Sequence, residues 1–200
     1  MKGSLIIVGF FVLGTICGVC HLLPFDIAET NISYYALCAL MFSVGLSVGN
    51  DPQTLKNFRS LNPRLVFLPI MTILGTLAGS AAVSLILTHR SITDCLAVGS
   101  GFGYYSLSSI FITEYKGAEL GTIALLANIS REILTLLAAP LLVRWFGNHA
   151  PISAGGATTM DTTLPIITRT AGQQFVVVSI FHGFVVDFSV PFLVTLFCSI

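Results

Sequence analysis

The sequence has very little charge: 9% of its 200 residues are charged, against 54% that are hydrophobic. Soluble domains carry about 25% charged residues, so a buried core alone does not explain the shortage. The 9 basic and 9 acidic residues also cancel, which leaves no basic surface for nucleic acid. We therefore expect an integral membrane protein in contact with a lipid bilayer, with no nucleic-acid partner.

Motifs for catalysis and for metal binding are missing as well. The chain has no H-E-x-x-H motif and no paired-aspartate motif, and no serine–histidine arrangement is evident. Cys17 and Cys20 form a C-x-x-C pair without a second ligand pair, which favours small apolar filler over metal or redox chemistry. We predict a protein that is not an enzyme and that needs no metal or cofactor.

What the sequence does contain is a series of long apolar segments. A helix needs about 20 apolar residues to cross the hydrocarbon core. We predict one all-α transmembrane domain over residues 1–200, with spans near residues 3–23, 32–48, 64–88, 91–115, 119–146, 155–172 and 173–200. The segments 91–115 and 155–172 are predicted to be interrupted. Gly75 and Gly79 form a G-x-x-x-G pair, which favours close helix packing within or between subunits.

The segment 155–172 carries an aspartate, Asp161, between paired glycines and a proline. A bilayer permits non-helical backbone only where protein or a water-filled cavity covers it, and an acidic side chain there indicates a functional site. We interpret the segment as a broken helix whose unwound middle presents Asp161 to a cargo or a proton; a polar loop outside the membrane is the alternative. Four hydroxyls would serve the unwound backbone or the cargo: those of Thr158, Thr159, Thr162 and Thr163.

The segment 91–115 is broken by glycines at alternate positions, including Gly101 and Gly103. Glycine this dense interrupts a helix. A nucleotide-binding G-x-G-x-x-G is rejected, because the third glycine and the strand–turn–helix context are absent. A half-helix that starts here would aim free backbone N–H groups at an anion, together with the hydroxyls of Tyr105, Ser106 and Ser108. A glycine-lined packing groove is the alternative.

Polar side chains occupy the middle of the segment 119–146. Asn128, Arg131, Glu132 and Thr135 have the spacing of one helix face. Two charges at mid-depth are expensive, so this face must look at protein or water. Structural pairing, of Arg131 with Glu132 or with other helices, and contact with a cargo both stay open. Arg131 could also hold the Asp161 carboxylate when the site is empty.

The last segment carries His182 and Asp187, five residues apart and therefore on different faces. His182 could titrate in the working range of a proton-coupled carrier, although a buried, hydrogen-bonded histidine beside Gly183 is favoured. The part played by Asp187 stays open. The part played by Asp51 also stays open, although a helix cap directly before a proline is favoured.

The charges in the links predict an orientation. The most basic link carries Lys56, Arg59 and Arg64, so the positive-inside rule places it in the cytoplasm. With seven crossings, the N-terminus lies inside and the C-terminus outside. Re-entrant folding of both interrupted segments would leave the two termini unchanged.

From about Tyr34 onward, the chain resembles the bacterial lysine exporters of the LysO family. Four strings carry the resemblance in the same order: residues 101–108 (GFGYYSLS), 128–132 (NISRE), 155–165 (GGATTMDTTLP) and 182–183 (HG). The resemblance implies a multi-pass carrier of the bacterial inner membrane that exports L-lysine and its analogue thialysine in exchange for protons. It further implies crossed, interrupted helices, as in bile-acid and sodium–proton transporters, and makes Asp161 the intramembrane acidic residue of the family.

One departure from the family concerns the N-terminal part. Family members of the usual kind carry further spans and a second acidic residue before the point at which this chain starts. The chain resembles the C-terminal portion of a split exporter, so we expect a small second membrane subunit, or a homo-oligomer, to supply the missing wall. A sodium-coupled carrier of an organic anion and an accessory or scaffold subunit that does not transport are the alternative functions.

Overall fold

The computed structural model describes residues 63–87 and 89–200, together with six isolated helical positions: Leu13, Ile16, Cys17, Tyr35, Ala39 and Phe42. The chain divides into two compact units, Met1–Val48 and Gly49–Ile200, and the helices described below belong to the second. Apart from those six positions, the predicted spans 3–23 and 32–48 lie outside the described residues, as does Asp51.

The described part of the second unit contains helices and no strand, as predicted. Its α-helices are α1 (Phe67–Ser84), α2 (Ile92–Gly99), α3 (Tyr105–Lys116), α4 (Ala118–Phe146), α5 (Ala150–Gly155), α6 (Leu164–Ala171) and α7 (Val176–Ser199). Short 3-10 helices cover Pro63–Val66, Gly156–Met160 and Gln173–Phe175.

Among the residues that the structure describes, three helices are long and apolar enough to cross a membrane. They are α1, α4 and the continuous stretch Gln173–Ser199, which joins the last 3-10 helix to α7. Large apolar side chains such as Met71, Leu137 and Phe188 are exposed on them, which is typical of surfaces that contact lipid. The fold is therefore that of a multi-pass membrane protein.

The first interrupted segment enters and returns at one surface. The Lys116 ammonium, at the end of α3, lies 3.8 Å from the Asp94 carboxylate near the start of α2, and Arg90 pairs with Glu119 at the same end. At 1.5 Å per residue, α2 and α3 rise by about 12 and 18 Å, roughly half of a 30 Å hydrocarbon core. We call α2, α3 and the break between them the first hairpin.

The second interrupted segment also turns back on itself. It comprises α5, the 3-10 helix Gly156–Met160 and α6, and we call it the second hairpin. The ring of His149, just before α5, packs edge-on against Phe175 at a centroid distance of 5.1 Å. Ile152 and Ile167 share a core cluster with residues at the start of α1 and α7. The second hairpin therefore enters from the surface opposite to the first.

Helices end and restart within both segments that were predicted to be interrupted. Each segment turns back on itself as a hairpin, the re-entrant folding that the sequence also allowed, with left-handed backbone at the breaks: φ is +46° at Phe102, +95° at Gly103 and +64° at Gly156. The predicted start of the second segment was also late, since α5 begins at Ala150. Two crossings disappear together, so the C-terminus still lies opposite the start of α1.

Candidate functional site

The tips of the two hairpins touch backbone to backbone. The Ala157 N–H donates a hydrogen bond to the Phe102 carbonyl at 2.9 Å. A Cβ added to Gly156 would lie 2.2 Å from the Phe102 carbonyl oxygen, and one added to Gly103 would lie 3.1 Å from the Gly155 carbonyl oxygen. Only glycine combines positive φ with so close an approach. We call residues 100–104 and 155–163 the tip junction.

The tip junction lies against the interior of the three long helices. Thr76 of α1, Arg131 of α4 and His182 of α7 are all several residues from their helix ends, and each belongs to the hydrogen-bond network of the junction. Unpaired backbone groups are costly in hydrocarbon. Polar side chains from the middle of these helices are therefore needed where the hairpin backbone is unwound.

Asn128 of α4 holds the break of the first hairpin. Its Oδ1 accepts from the Gly103 N–H at 2.8 Å. Its Nδ2 donates to the Val98 carbonyl, in the last turn of α2, at 3.2 Å and to the Ala124 carbonyl at 2.9 Å. The Ser108 hydroxyl donates to the Tyr104 carbonyl at 2.8 Å. Asn128 and Ser108 thus bind the chain's own backbone, and both are buried.

Arg131, one turn further along α4, holds the second hairpin. Its Nε donates to the Ala154 carbonyl at 2.8 Å and its Nη2 to the Ser153 carbonyl at 3.0 Å. These carbonyls lie in the last turn of α5, where the helix dipole favours a cation. Neither Glu132 nor Asp161 forms an ion pair with Arg131 among the described residues. The suggested Arg131 pairs with these carboxylates are therefore absent, and the guanidinium binds carbonyls instead.

Replacing Arg131 with lysine is expected to destabilise the folded chain by about 2–4 kcal/mol, because one ammonium cannot reproduce the planar fork and each hydrogen bond from a charged group contributes about 1.5–3 kcal/mol. Thermal unfolding in detergent would measure the loss. The exposed Arg144, in the last turn of α4, supplies the matched control as Arg144→Lys. Equal stability of the two variants would contradict the assignment.

The buried threonines of the second hairpin serve the backbone. Thr158 Oγ1 donates to the Gly155 carbonyl at 3.0 Å and lies 3.2 Å from Thr163 Oγ1. Thr159 Oγ1 lies 2.8 Å from the Gly156 carbonyl oxygen. Thr162 is exposed. Of the four predicted hydroxyls, Thr162 is the one that faces outward.

His182 is fully buried and hydrogen-bonded at both ring nitrogens. Nδ1 lies 3.2 Å from Thr159 Oγ1, and Nε2 lies 2.9 Å from Thr72 Oγ1. The next residue, Gly183, lets α7 approach the second hairpin, since an added Cβ would lie 2.6 Å from the Met160 nitrogen. The favoured interpretation of His182 as a buried, bonded histidine fits this geometry, whereas Thr72 was missed.

Asp161 lies at the end of the buried 3-10 helix, directly before the turn into α6. Its side chain is exposed, whereas residues 155–159 are all buried. Its Oδ1 accepts from the Thr162 N–H at 2.5 Å, and its own N–H donates to the Thr158 carbonyl at 3.2 Å. The carboxylate thus projects from the tip junction while its backbone is fixed by that junction.

Two further carboxylates, Glu132 of α4 and Asp187 of α7, act electrostatically on the tyrosines at the start of α3. The Tyr104 side chain interacts electrostatically with Asp187 and Asp161, and the Tyr105 side chain interacts with Glu132 and Asp161. Tyr104 and Asp187 were not among the predicted site residues. The helix period was the signal for Asp187. Gly183 lies four residues before Asp187 and therefore shares its helix face, whereas His182 lies five residues before it and does not.

The start of α3 also offers hydrogen-bond donors. The helix begins at Tyr105, as predicted, so the N–H groups of Ser106 and Leu107 have no intrahelical partner. The side chains of Tyr105 and Ser106 are exposed, and Gly101 is buried against Asn128. Donors for an anion therefore lie next to the tip junction, which also carries the Asp161 carboxylate.

Comparison with known proteins identifies the family. The chain matches the family described as lysine exporter LysO over residues 8–198. Lysine exporter LysO of Escherichia coli K12 is 36% identical over 196 residues, which make up 98% of this chain and 64% of that protein. A relative from Haemophilus influenzae is 34% identical over 196 residues, covering 98% of this chain and 96% of that protein.

The chain therefore spans less than two thirds of the length of the E. coli relative. No solved structure matches it. The family consists of transporters and not of enzymes. On the match over residues 8–198, the chain belongs to the lysine exporter LysO family.

Proposed function

We propose that this chain exports L-lysine, and analogues such as thialysine, from the cytoplasm across the bacterial inner membrane in exchange for protons. The observation that carries the proposal is the placement of Asp161 at the junction of two unwound hairpin tips, directly after which α3 begins on the first hairpin. Secondary transporters bind substrates where discontinuous helices meet near the bilayer midplane. Membership in a lysine exporter family supports the choice of cargo.

The charges of lysine suit the groups at this place. Its side-chain and α-ammonium groups require anionic partners, and its carboxylate requires donors. Asp161 can pair with an ammonium or hold a proton, but not both, and this mutual exclusion couples export to proton entry. Glu132, which like Asp161 acts electrostatically on Tyr105, can share the cation. The N–H groups at the start of α3 suit the carboxylate.

The proposed orientation follows from the basic link before α1. If Lys56, Arg59 and Arg64 lie in the cytoplasm, the second hairpin enters from the cytoplasmic side and the first from the outer side. The C-terminus then lies outside, as predicted. This arrangement gives each membrane surface one hairpin whose tip reaches the proposed lysine site.

We further propose that a small second membrane subunit, or a second copy of the chain, completes the carrier. Gly75 and Gly79 of α1 are exposed, and a Cβ added to either would meet no atom within 4 Å. A cavity of about 830 Å³, lined by Gly79 and by residues of α2 and α4, opens beside them. Small residues on an exposed face allow another helix to approach closely.

Labelled lysine in proteoliposomes tests the proposed function. We expect lysine movement driven by a pH gradient, abolished by a protonophore and indifferent to sodium. The full chain should be assayed alone and with the product of any neighbouring short reading frame for a membrane protein. Sodium dependence combined with indifference to lysine would identify an organic-anion carrier instead. No transport in either preparation would leave the chain as an accessory subunit.

A further inference from the structure

The ring of His182 connects three parts of the fold. It belongs to α7, and its Nε2 lies 2.9 Å from the hydroxyl oxygen of Thr72 in α1. Its Nδ1 lies 3.2 Å from the hydroxyl oxygen of Thr159 in the second hairpin. All three side chains are buried. A hydroxyl can donate or accept, so the direction of each hydrogen bond depends on which ring nitrogen carries a proton.

The surroundings of Thr159 decide the direction of the bond at Nδ1. Thr159 Oγ1 also lies 2.8 Å from the Gly156 carbonyl oxygen and 2.9 Å from the Ser179 carbonyl oxygen. A carbonyl only accepts, so the single hydroxyl proton of Thr159 is donated to one of these two oxygens. The hydroxyl then offers only lone pairs to the ring. Nδ1 of His182 therefore carries a proton and donates it to Thr159.

The other ring nitrogen, Nε2, accepts. A ring with protons on both nitrogens would be a buried cation, and among the described residues no carboxylate forms an ion pair with His182. Because a buried charge without a partner is costly, the ring is neutral and Nε2 has no proton. The Thr72 hydroxyl donates to it, and within the described part of the chain this is the only hydrogen bond of that hydroxyl. We call Thr72, His182 and Thr159 the histidine relay.

The histidine relay ends beside Asp161. Thr159 belongs to the 3-10 helix Gly156–Met160, and Asp161 is the residue that ends this helix. The hydrogen bonds of a 3-10 helix have poorer geometry than those of an α-helix, so contacts from outside matter more for its position. The Asp161 N–H donates to the Thr158 carbonyl of the same helix. Fixing Thr159 therefore fixes the backbone that presents the Asp161 carboxylate.

We propose that Thr72 and His182 are positioning residues for the lysine site. Thr72 donates to Nε2 of a neutral ring, and the Nδ1–H of that ring fixes Thr159 and with it the Asp161 carboxylate. The inference rests on the proposed function, because it assigns the residues that hold the proposed ammonium-binding carboxylate in place. It gives His182 a proton that stays on Nδ1 instead of one that is exchanged during transport.

Solid-state NMR of the full chain in lipid, labelled with nitrogen isotope in histidine, observes this proton without transport. The signals that disappear in His182→Asn identify His182 among the 4 histidines. At neutral pH we expect a protonated Nδ1 and an Nε2 without a proton. Thr72→Val removes the donor and should shift the Nε2 signal. Thr122→Val, which removes a hydroxyl that bonds the Ala118 carbonyl of its own helix, should leave the signal unchanged.

Two amide variants, each of which replaces one half of the ring, test the positioning role. The amide nitrogen of His182→Asn takes the place of Nδ1 and can donate to Thr159, whereas the amide of His182→Gln takes the place of Nε2. We expect the KM of lysine–lysine exchange to rise about three- to tenfold in His182→Gln, the effect of one lost hydrogen bond. The rise should be smaller in His182→Asn.

Three outcomes would overturn the inference: a proton on Nε2, an Nε2 signal that Thr72→Val leaves unchanged, and an equal rise of KM in the two amide variants. The last outcome would show that the histidine only fills space between the helices. Absence of lysine transport in the unmodified chain would instead count against the proposed function. The NMR signals report the histidine relay in either case, so the two failures are distinguishable.

Discussion

Lysine exchange by the Asp161→Asn variant is expected to fall by about ten- to a hundredfold. Asparagine keeps the size of the side chain and the hydrogen bond from the Thr162 N–H, but it removes the charge that pairs with an ammonium. A hydrogen bond to a charged group contributes about 1.5–3 kcal/mol, and each 1.4 kcal/mol corresponds to about tenfold in affinity. Initial rates of lysine–lysine exchange in proteoliposomes measure the loss.

Two controls separate this effect from a general loss of charge or stability. Asp161→Glu keeps a carboxylate and should retain part of the exchange. Glu114→Gln neutralises an exposed carboxylate on α3, outside the tip junction, and should leave exchange unchanged. Normal export by a stably inserted Asp161→Asn chain would rule out the proposed part of this carboxylate. A phenotype no stronger than that of distant packing variants would favour a scaffold subunit.

Gly156→Ala is expected to cost about 2–3 kcal/mol of stability, because the left-handed backbone alone costs a residue with a Cβ about 1–2 kcal/mol and loss of the Ala157–Phe102 hydrogen bond adds about 1 kcal/mol. The clashing atom is a backbone oxygen at 2.2 Å, so no side-chain rotation relieves the contact. The two tips must separate, and transport should be lost. Thermal unfolding in detergent and lysine exchange measure the two effects.

Gly147→Ala is the matched control for this clash. Gly147 also has a positive φ of +86°, but a Cβ added there meets no atom within 4 Å. This variant suffers only the conformational strain of about 1–2 kcal/mol and should still transport. If the two alanine variants lost stability equally and both retained transport, contact between the tips would not be needed for function.

The sequence predicts the interruptions of the fold because their causes are local. Glycines at alternate positions disfavour a helix wherever they occur, so the break around Gly101 and Gly103 and the start of α3 could be predicted. The reversal of the chain could not, since it brings together residues that are far apart in sequence, such as Asp94 and Lys116. Length and hydropathy describe a crossing segment and a re-entrant one in similar terms.

The candidate site was predictable to the extent that it consists of charged side chains within apolar runs. Of the predicted polar face, Asn128 and Thr135 are buried, and Arg131 binds carbonyls of α5. The partners of Arg131 could not be predicted, because they are backbone carbonyls. Every residue has one, so the residue types do not indicate which carbonyls accept a hydrogen bond. Asp187 was visible as a charge but had no predicted neighbour.

The succession of long helix, hairpin, long helix, hairpin and long helix reads the same in either direction along the chain. Each face of the bilayer thus receives one hairpin from the described part of the chain. What distinguishes the two faces is the chemistry of α4: a neutral amide, Asn128, fastens one hairpin, and a permanent cation, Arg131, fastens the other. In the described part of the chain, the two hairpins therefore differ in the charge of the side chain that holds them in place.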